Sequence, residues 1–357
     1  MKITVLIMAG GKGERFWPKS RRNFPKQFLN LTSDNKTMIQ HTVERISELV
    51  DEEDIFIVTN KEYKDLVYEQ LPNIPMKNII LEPMSKNTAP CIGLATMYIK
   101  KKYEDAVMIV LPADHLIKYT ELFIDTLREG IKVAEEDSNL VTIGIMPSYP
   151  ETGYGYINFG TRKENQPGVY NVKHFVEKPN IEKAKDYLAS GKYLWNSGIF
   201  IWKIYSILEN FKNLLPQIYE DLIPIYESIG QLNEDEIVYY QFNKMRAVSI
   251  DYAIMEQAEN IFTIPGNFGW DDVGSWLTLE RINTTNESGN VVKGNVITID
   301  TFNSIIQAED KLIALVGIED LIVVDTEDAL LIVDKNKTQD IKKVVENLKI
   351  CNRNQYL

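Results

Sequence analysis

Five apolar runs, at residues 3–8, 55–58, 79–81, 106–111 and 140–145, punctuate the first 147 positions of the chain. Each is dominated by Ile, Val and Leu with little polar alternation, the pattern of strands buried on both faces. Between them the period lengthens. Ile39, Val43, Ile46 and Val50 recur three or four residues apart, as do Phe123, Leu127 and Ile131, which predicts amphipathic helices. Strand runs alternating with such helices predict a parallel sheet covered on both faces. Ligands of these sheets sit beyond the carboxyl ends of the strands, so the polar residues that close each run are where chemistry is expected.

After Pro147 the texture changes to glycine-aromatic turns, notably 150–157 and 195–200. From about residue 285 short runs at 296–299, 312–316, 321–324 and 330–333 recur at a spacing of roughly nine residues. They predict a small all-β unit with solenoid-like coils, closed by a helix carrying Ile341, Val344, Val345 and Leu348. The expected division is therefore 1–283 and 284–357. The second part holds no cluster of catalytic residue types and reads as a packing or dimerisation module.

A chain of 357 residues can bury a large core. Its net charge of −12 argues against general nucleic-acid binding. No stretch approaches the roughly 18 apolar residues of a membrane span. The first apolar run is short and ends in glycines, so no export leader is expected. Cys91 and Cys351 lack metal-site spacing and suit a reducing cytoplasm, and His41, His115 and His174 form no ligand cluster.

Against that acidic background one stretch is basic. The first run feeds into Ala9, Gly10, Gly11 and Gly13, and six basic residues (Lys12, Arg15, Lys19, Arg21, Arg22, Lys26) then stand against one acid, Glu14. Glycines let successive backbone N–H groups turn toward an anion, and the positive island suits a polyphosphate. It is neither a dinucleotide fingerprint, which needs glycine where Phe16 stands, nor a P-loop, which needs Gly-Lys at Arg15 and Phe16.

The other runs end as informatively. The third closes on Glu82-Pro83, followed by Lys86-Asn87-Thr88-Ala89-Pro90. Asn87 or Thr88 either caps the next helix or forms the polar rim of a purine site. The fourth closes on Pro112-Ala113-Asp114-His115, where Asp114 caps a turn or holds a divalent metal whose other positions go to phosphate and water. Tyr154, Tyr156 and Trp195, interleaved with Glu177, Lys178 and Asn196, have the composition of a sugar pocket: rings for the C–H face, carboxylate and amide for the hydroxyls. Ser249 or Asp251 caps a helix start. Asp272, in a Gly-bracketed acidic turn, is either an ordinary turn residue or a partner of Asp114 at one metal.

Taken together, Gly10-Gly11-Lys12-Gly13-Glu14-Arg15-Phe16-Trp17-Pro18, Phe24-Pro25-Lys26-Gln27-Phe28, Glu82-Pro83 with Asn87-Thr88-Ala89-Pro90, Leu111-Pro112-Ala113-Asp114-His115, Glu151-Thr152-Gly153-Tyr154-Gly155-Tyr156, Phe175-Val176-Glu177-Lys178-Pro179, Trp195-Asn196-Ser197-Gly198 and Gly269-Trp270-Asp271-Asp272-Val273-Gly274 resemble the sugar-nucleotide pyrophosphorylases. The resemblance is greatest to their mannose, GTP-using branch, and spans essentially the whole chain in one order. Phe16 stands where leucine is commoner, and Lys86 where arginine is.

The resemblance implies an α/β, Rossmann-like mixed sheet in a nucleotidyltransferase domain, followed by a left-handed β-helix-like unit, in a cytoplasmic homodimer. It implies GMP transfer from GTP to mannose 1-phosphate, giving GDP-mannose and pyrophosphate with Mg²⁺, and no membrane or nucleic-acid partner. It assigns catalysis to Arg15, Lys26 and Lys178. Nucleotide binding falls to Ala9, Gly10, Gly11, Gly13, Glu82, Asn87, Thr88, Pro112 and Ala113, and sugar binding to Gly153, Tyr154, Glu177, Lys178, Asn196 and Asp272. Asp114 and Asp272 would hold the metal. The chain stops short of the extra domain of bifunctional forms, so mannose 6-phosphate isomerisation is not expected. Two alternatives remain: a pyrophosphorylase for another hexose or heptose 1-phosphate, and a non-catalytic GDP-mannose-binding regulator.

Overall fold

The computed structural model describes residues 1–11 and 13–357; Lys12, counted in the basic stretch, lies outside the described residues. The chain packs as two compact units, each assembled from separated segments. The first comprises Met1–Gly10, Val43–Ala113 and Ile117–Trp270, and the second Gly11–Thr42, Asp114–Leu116 and Asp271–Leu357.

Through residue 271 the strands are β1 (Ile3–Met8), β2 (Ile55–Asn60), β3 (Ile79–Glu82), β4 (Val107–Pro112), a two-residue β5 (Leu116–Ile117), β6 (Leu140–Ile145), β7 (Tyr156–Arg162), β8 (Tyr170–Val176), β9 (Tyr193–Lys203), β10 (Ile261–Gly266) and a two-residue β11 (Trp270–Asp271). The helices begin with α1 (Met38–Arg45), α2 (Lys64–Gln70), α3 (Thr88–Lys102) and α4 (Thr120–Glu135). They continue with α5 (Ile181–Ser190), α6 (Ile204–Leu214), α7 (Pro216–Ser228) and α8 (Glu234–Lys244).

In the first unit nine strands form one sheet in the order β3-β2-β1-β4-β9-β6-β10-β8-β7. The five runs read as strands are β1, β2, β3, β4 and β6. The all-parallel expectation needs correction. β1 pairs in parallel with β2 and β4, but β9 lies antiparallel between β4 and β6, with Ile201 opposite both Ile109 and Val141. The sheet is therefore mixed, as the resemblance implied. An apolar run records burial on both faces but not the direction in which the strand runs. The helical pattern after Ile39 also breaks early. α1 ends at Arg45, although Ile46 and Val50 beyond it are still buried.

The second unit holds α9 (Thr278–Ile282) and the strands β12 (Val291–Lys293), β13 (Val296–Ile299), β14 (Ile305–Gln307), β15 (Ile313–Val316), β16 (Leu321–Asp325) and β17 (Leu330–Asp334). Helix α10 (Ile341–Ile350) follows. Strands two apart in sequence stack in parallel, β12 on β14 on β16 and β13 on β15, which is the coiling expected of a solenoid. The last pair, β16 with β17, turns antiparallel. Val291, Ile305 and Ile322 from the coils share a core with Phe16, Trp17, Leu29 and Met38 of the early segment, with Trp276, and with Ile341 and Val345 of α10. Phe16 and Trp276 are fully buried, their ring centroids 5.1 Å apart. Truncating either would cost about 3–5 kcal/mol.

Candidate active site

In the second unit a cavity of about 420 Å³ is lined by Gly13, Arg15, Lys26, Asp114, Asp272 and Lys342, among others. Its polar residues come from four separated stretches of sequence. Lys26 opens a short 3-10 turn behind Pro25 and is only 7 % exposed. Its Nζ donates to Asp114 Oδ2 at 2.8 Å and to the Asp272 carbonyl oxygen at 2.5 Å. Burial pushes the Asp114 carboxyl upward, but the Lys26 ammonium and neighbouring His115 outweigh it and hold the acid below the usual carboxylate range. Asp114 is therefore an anion at neutral pH, with its side chain about one-third open.

Gly13 is dictated by Lys26. It sits at φ +57°, and a Cβ there would come within 2.5 Å of Lys26 Cβ and 2.7 Å of its backbone N. Gln27 Nε2 donates to the Gly11 carbonyl at 3.1 Å, tying the glycine turn to the Lys26 turn. Arg15 reaches the Gly274 carbonyl at 3.4 Å.

The acidic turn sorts its two aspartates. Asp271 accepts from the Val273 N–H and from Arg281 Nε, both at 2.8 Å, and so pins the turn. Asp272 lines the cavity. Val273, β-branched yet at φ +47°, is held there fully buried, a strained backbone at the edge of the cavity. Lys342, an exposed residue of α10, is a cavity residue that sequence reasoning did not single out. On a solvated helix face it carries no pattern that would mark it.

The first unit carries the remaining candidates. Ala9 is buried, its N–H donating to the Val58 carbonyl at 2.8 Å, and its carbonyl accepts from Thr59. Glu82, ending β3, is 4 % exposed, and its Oε1 has no hydrogen-bond partner among the described residues. Burial pushes its carboxyl up to about 7, with a Cys91 hydrogen bond opposing. Gly10 lies close, since a Cβ on it would stand 3.2 Å from Glu82 Oε2. Asn87, at φ 69°, caps α3 by accepting from the Thr88 N–H at 2.8 Å, while Thr88 Oγ1 accepts from the Ile250 N–H at 2.8 Å. Pro112 closes β4, and the Ala113 N–H donates to the Met8 carbonyl at 3.0 Å.

The sugar candidates also meet within this unit. Glu151 Oε1 accepts from the Thr152 and Gly153 N–H groups, and Tyr154 packs edge-on against Trp195 and Trp270. A Cβ on Gly155 would fall 2.6 Å from Glu177 Oε2 and 3.4 Å from Asn196 Cβ, so this glycine brings carboxylate and amide together. Lys178, at φ 42°, pairs with Glu177 at 2.7 Å on the exposed surface. Asn196 Nδ2 donates to Asp251 Oδ1 at 2.6 Å. Asp251, read above as a possible cap, instead fixes that amide, and Ser249 Oγ accepts from the Tyr252 N–H. Burial first, and then Glu177, raise the Asp251 carboxyl, while Asn196 lowers it.

Among the described residues no helix is long and apolar enough to cross a membrane. Residues 4–289 match the Nucleotidyl transferase family, and residues 294–348 match the MannoseP isomerase/GMP-like beta-helix domain. Mannose-1-phosphate guanylyltransferase 2 of Escherichia coli O157:H7 is 40% identical over 99% of this chain and 75% of its own length. Mannose-1-phosphate guanylyltransferase of Salmonella montevideo is 42% identical over 99% of this chain and 76% of its own. A solved structure from Thermus thermophilus, described as a mannose-1-phosphate geranyltransferase, superposes with a TM-score of 0.87 at 33% identity, covering 98% of this chain and all of that one. With a nucleotidyl transferase match over most of its length and such relatives over nearly all of it, the chain belongs to the mannose-1-phosphate guanylyltransferase family and is a nucleotidyltransferase.

Proposed function

We propose that the protein transfers GMP from GTP to mannose 1-phosphate, releasing pyrophosphate. The observation that carries this reading is the cavity in which Arg15, Lys26, Asp114 and Asp272 converge, in a chain whose relatives are named for that reaction. The phosphate oxygen of mannose 1-phosphate is already an anion, so attack on the α-phosphorus needs no general base and no covalent enzyme nucleophile. The task is to bring two repelling anions into line and to offset charge on the α-phosphate and on leaving pyrophosphate.

Arg15 and Lys26 supply fixed positive charge toward the triphosphate. The glycine turn at Gly10, Gly11 and Gly13 supplies backbone donors, and Ala9, whose N–H is held by the Val58 carbonyl, fixes the strand end from which the turn starts. Two carboxylates on one cavity, one of them held ionised, fit a divalent cation that takes its remaining oxygens from phosphate and water, and Asp114 and Asp272 would hold Mg²⁺. Bound there, the ion would neutralise phosphate charge. Glu82, Asn87, Thr88, Pro112 and Ala113 take the guanine nucleoside. Gly153, Tyr154, Glu177 and Asn196 take mannose, with Lys178 on its phosphate. Two free cysteines fit the cytoplasm. Half-exposed Ile297, Ile299 and Val316 on the β13–β15 face offer an apolar surface to a second copy.

The test is pyrophosphate release from GTP, mannose 1-phosphate and Mg²⁺, with a chelator control and a sizing column on the same preparation. Release should require all three components, elution should correspond to two chains, and Lys26→Ala or Asp272→Ala should lower turnover by orders of magnitude with the fold intact. Full activity in either folded variant removes that residue from the mechanism. Activity on a different sugar phosphate keeps the chemistry and changes the substrate. Tight GDP-mannose binding without turnover would favour a regulator.

A further inference from the structure

Glu14 lines a second cavity of about 330 Å³, also within the second unit and distinct from the one holding Lys26. That volume is at the lower end of the roughly 300–1,000 Å³ of small-molecule pockets. Trp17 and Val345 give it apolar walls, and Ser20, Arg21, Arg22 and Lys349 give it donors. Arg21 is engaged by the Pro18 and Tyr356 carbonyls and by Asp328, which fixes it as a wall.

Ser20 is different. It is 2 % exposed, and its Oγ has no hydrogen-bond partner among the described residues. A buried hydroxyl left so keeps its desolvation penalty, which a bound acceptor would relieve. Arg22 is exposed, and Lys349 is paired with Glu14 at 2.9 Å, both ends about half exposed. Such a surface pair is weak, so an anion of higher charge can compete for the ammonium.

We infer that this cavity is a binding site for a small phosphomonoester with a compact apolar body, its phosphate oxygens taken by Ser20, Arg22 and Lys349 and its body lying against Trp17 and Val345. Three donor groups match three terminal oxygens, and the cations match a dianion better than a single carboxylate would. Occupancy withdraws Lys349 from Glu14. Glu14 precedes Arg15 in the chain and lines both cavities.

Phenyl phosphate is the probe, titrated by calorimetry into the full chain. Binding is expected in the unaltered protein and in Lys26→Ala, where the first cavity has lost its buried ammonium. It should weaken at least tenfold in Arg22→Gln/Lys349→Gln and several-fold in Ser20→Ala, a deletion of one oxygen that leaves the packing in place. Circular dichroism melts check that each variant is folded. The inference is overturned if phenyl phosphate does not bind at millimolar concentration, or if phenol binds equally well. It is overturned too if binding disappears in Lys26→Ala and persists in the double variant, which would place the molecule in the first cavity. None of these readings depends on turnover.

Discussion

Lys26 is enclosed by protein, its ammonium engaged by a carboxylate and a carbonyl, and the residue opposite has no side chain at all. The glycine pattern is thus partly a matter of room: Gly13 lacks a Cβ because Lys26 occupies the space, and Gly155 because Glu177 and Asn196 do. Glu82 poses a different residue-scale problem. Its carboxyl, raised to about 7 by burial, binds its proton more tightly folded than unfolded. The stability this contributes is complete below about pH 4.5 and is lost as pH rises through about 7. Glu82→Gln, neutral at every pH, should therefore be more stable than the parent at pH 8 by about 3 kcal/mol, and near parity at pH 4.5. Urea denaturation at both pH values measures this; an equal gain at each would show that proton binding at Glu82 is not the cause.

At the scale of elements, strands and coils announce themselves in the sequence, but directions and partners do not. β1 to β4 and β6 stand out because runs of branched apolar residues have few other uses. The antiparallel insertion of β9 does not, since pairing across some ninety residues leaves no local trace. The phosphate candidates were visible because glycine, Arg and Lys crowd one stretch of an acidic chain. Asp251 was not, because a residue after Ser-Ile at a helix start looks like a cap; its link to Asn196 spans 55 residues. Arg281 and Lys342 were hidden on helix faces for the same reason. Lys342 projects from α10 onto the cavity of Lys26, and as an exposed cation at its rim it should act by attraction at a distance. Lys342→Ala is expected to raise KM for GTP several-fold with kcat nearly unchanged, more so at low salt. Steady-state kinetics at two ionic strengths decide it, and a fall in kcat alone would contradict it.

For the whole molecule, the C-terminal coils read as a packing module, and what they pack is informative. Their core is continuous with Phe16, Trp17 and Leu29, the residues flanking Arg15 and Lys26, and with Trp276 beside the Asp272 turn. A chain cut after residue 289 loses Val291, Ile305, Ile322, Ile341 and Val345 from that core. It should lose activity completely, bind a hydrophobic dye and show raised protease sensitivity at residues 11–42. A cut chain retaining turnover would show the coils to be dispensable.

That shared core also has a consequence for synthesis. Ile341 and Val345, which help cover the cluster of Trp17, are made more than three hundred residues after it. At the usual 5–20 residues per second the interval is roughly 15–60 s. Throughout it the stretch that carries Arg15 and Lys26 has no finished core to fold onto, and its aromatic residues are open to chaperones and to neighbouring nascent chains. The stretch carrying Arg15 and Lys26 is thus translated long before the coils and helix that complete its core, so slowing translation between the two should lower the yield of folded protein.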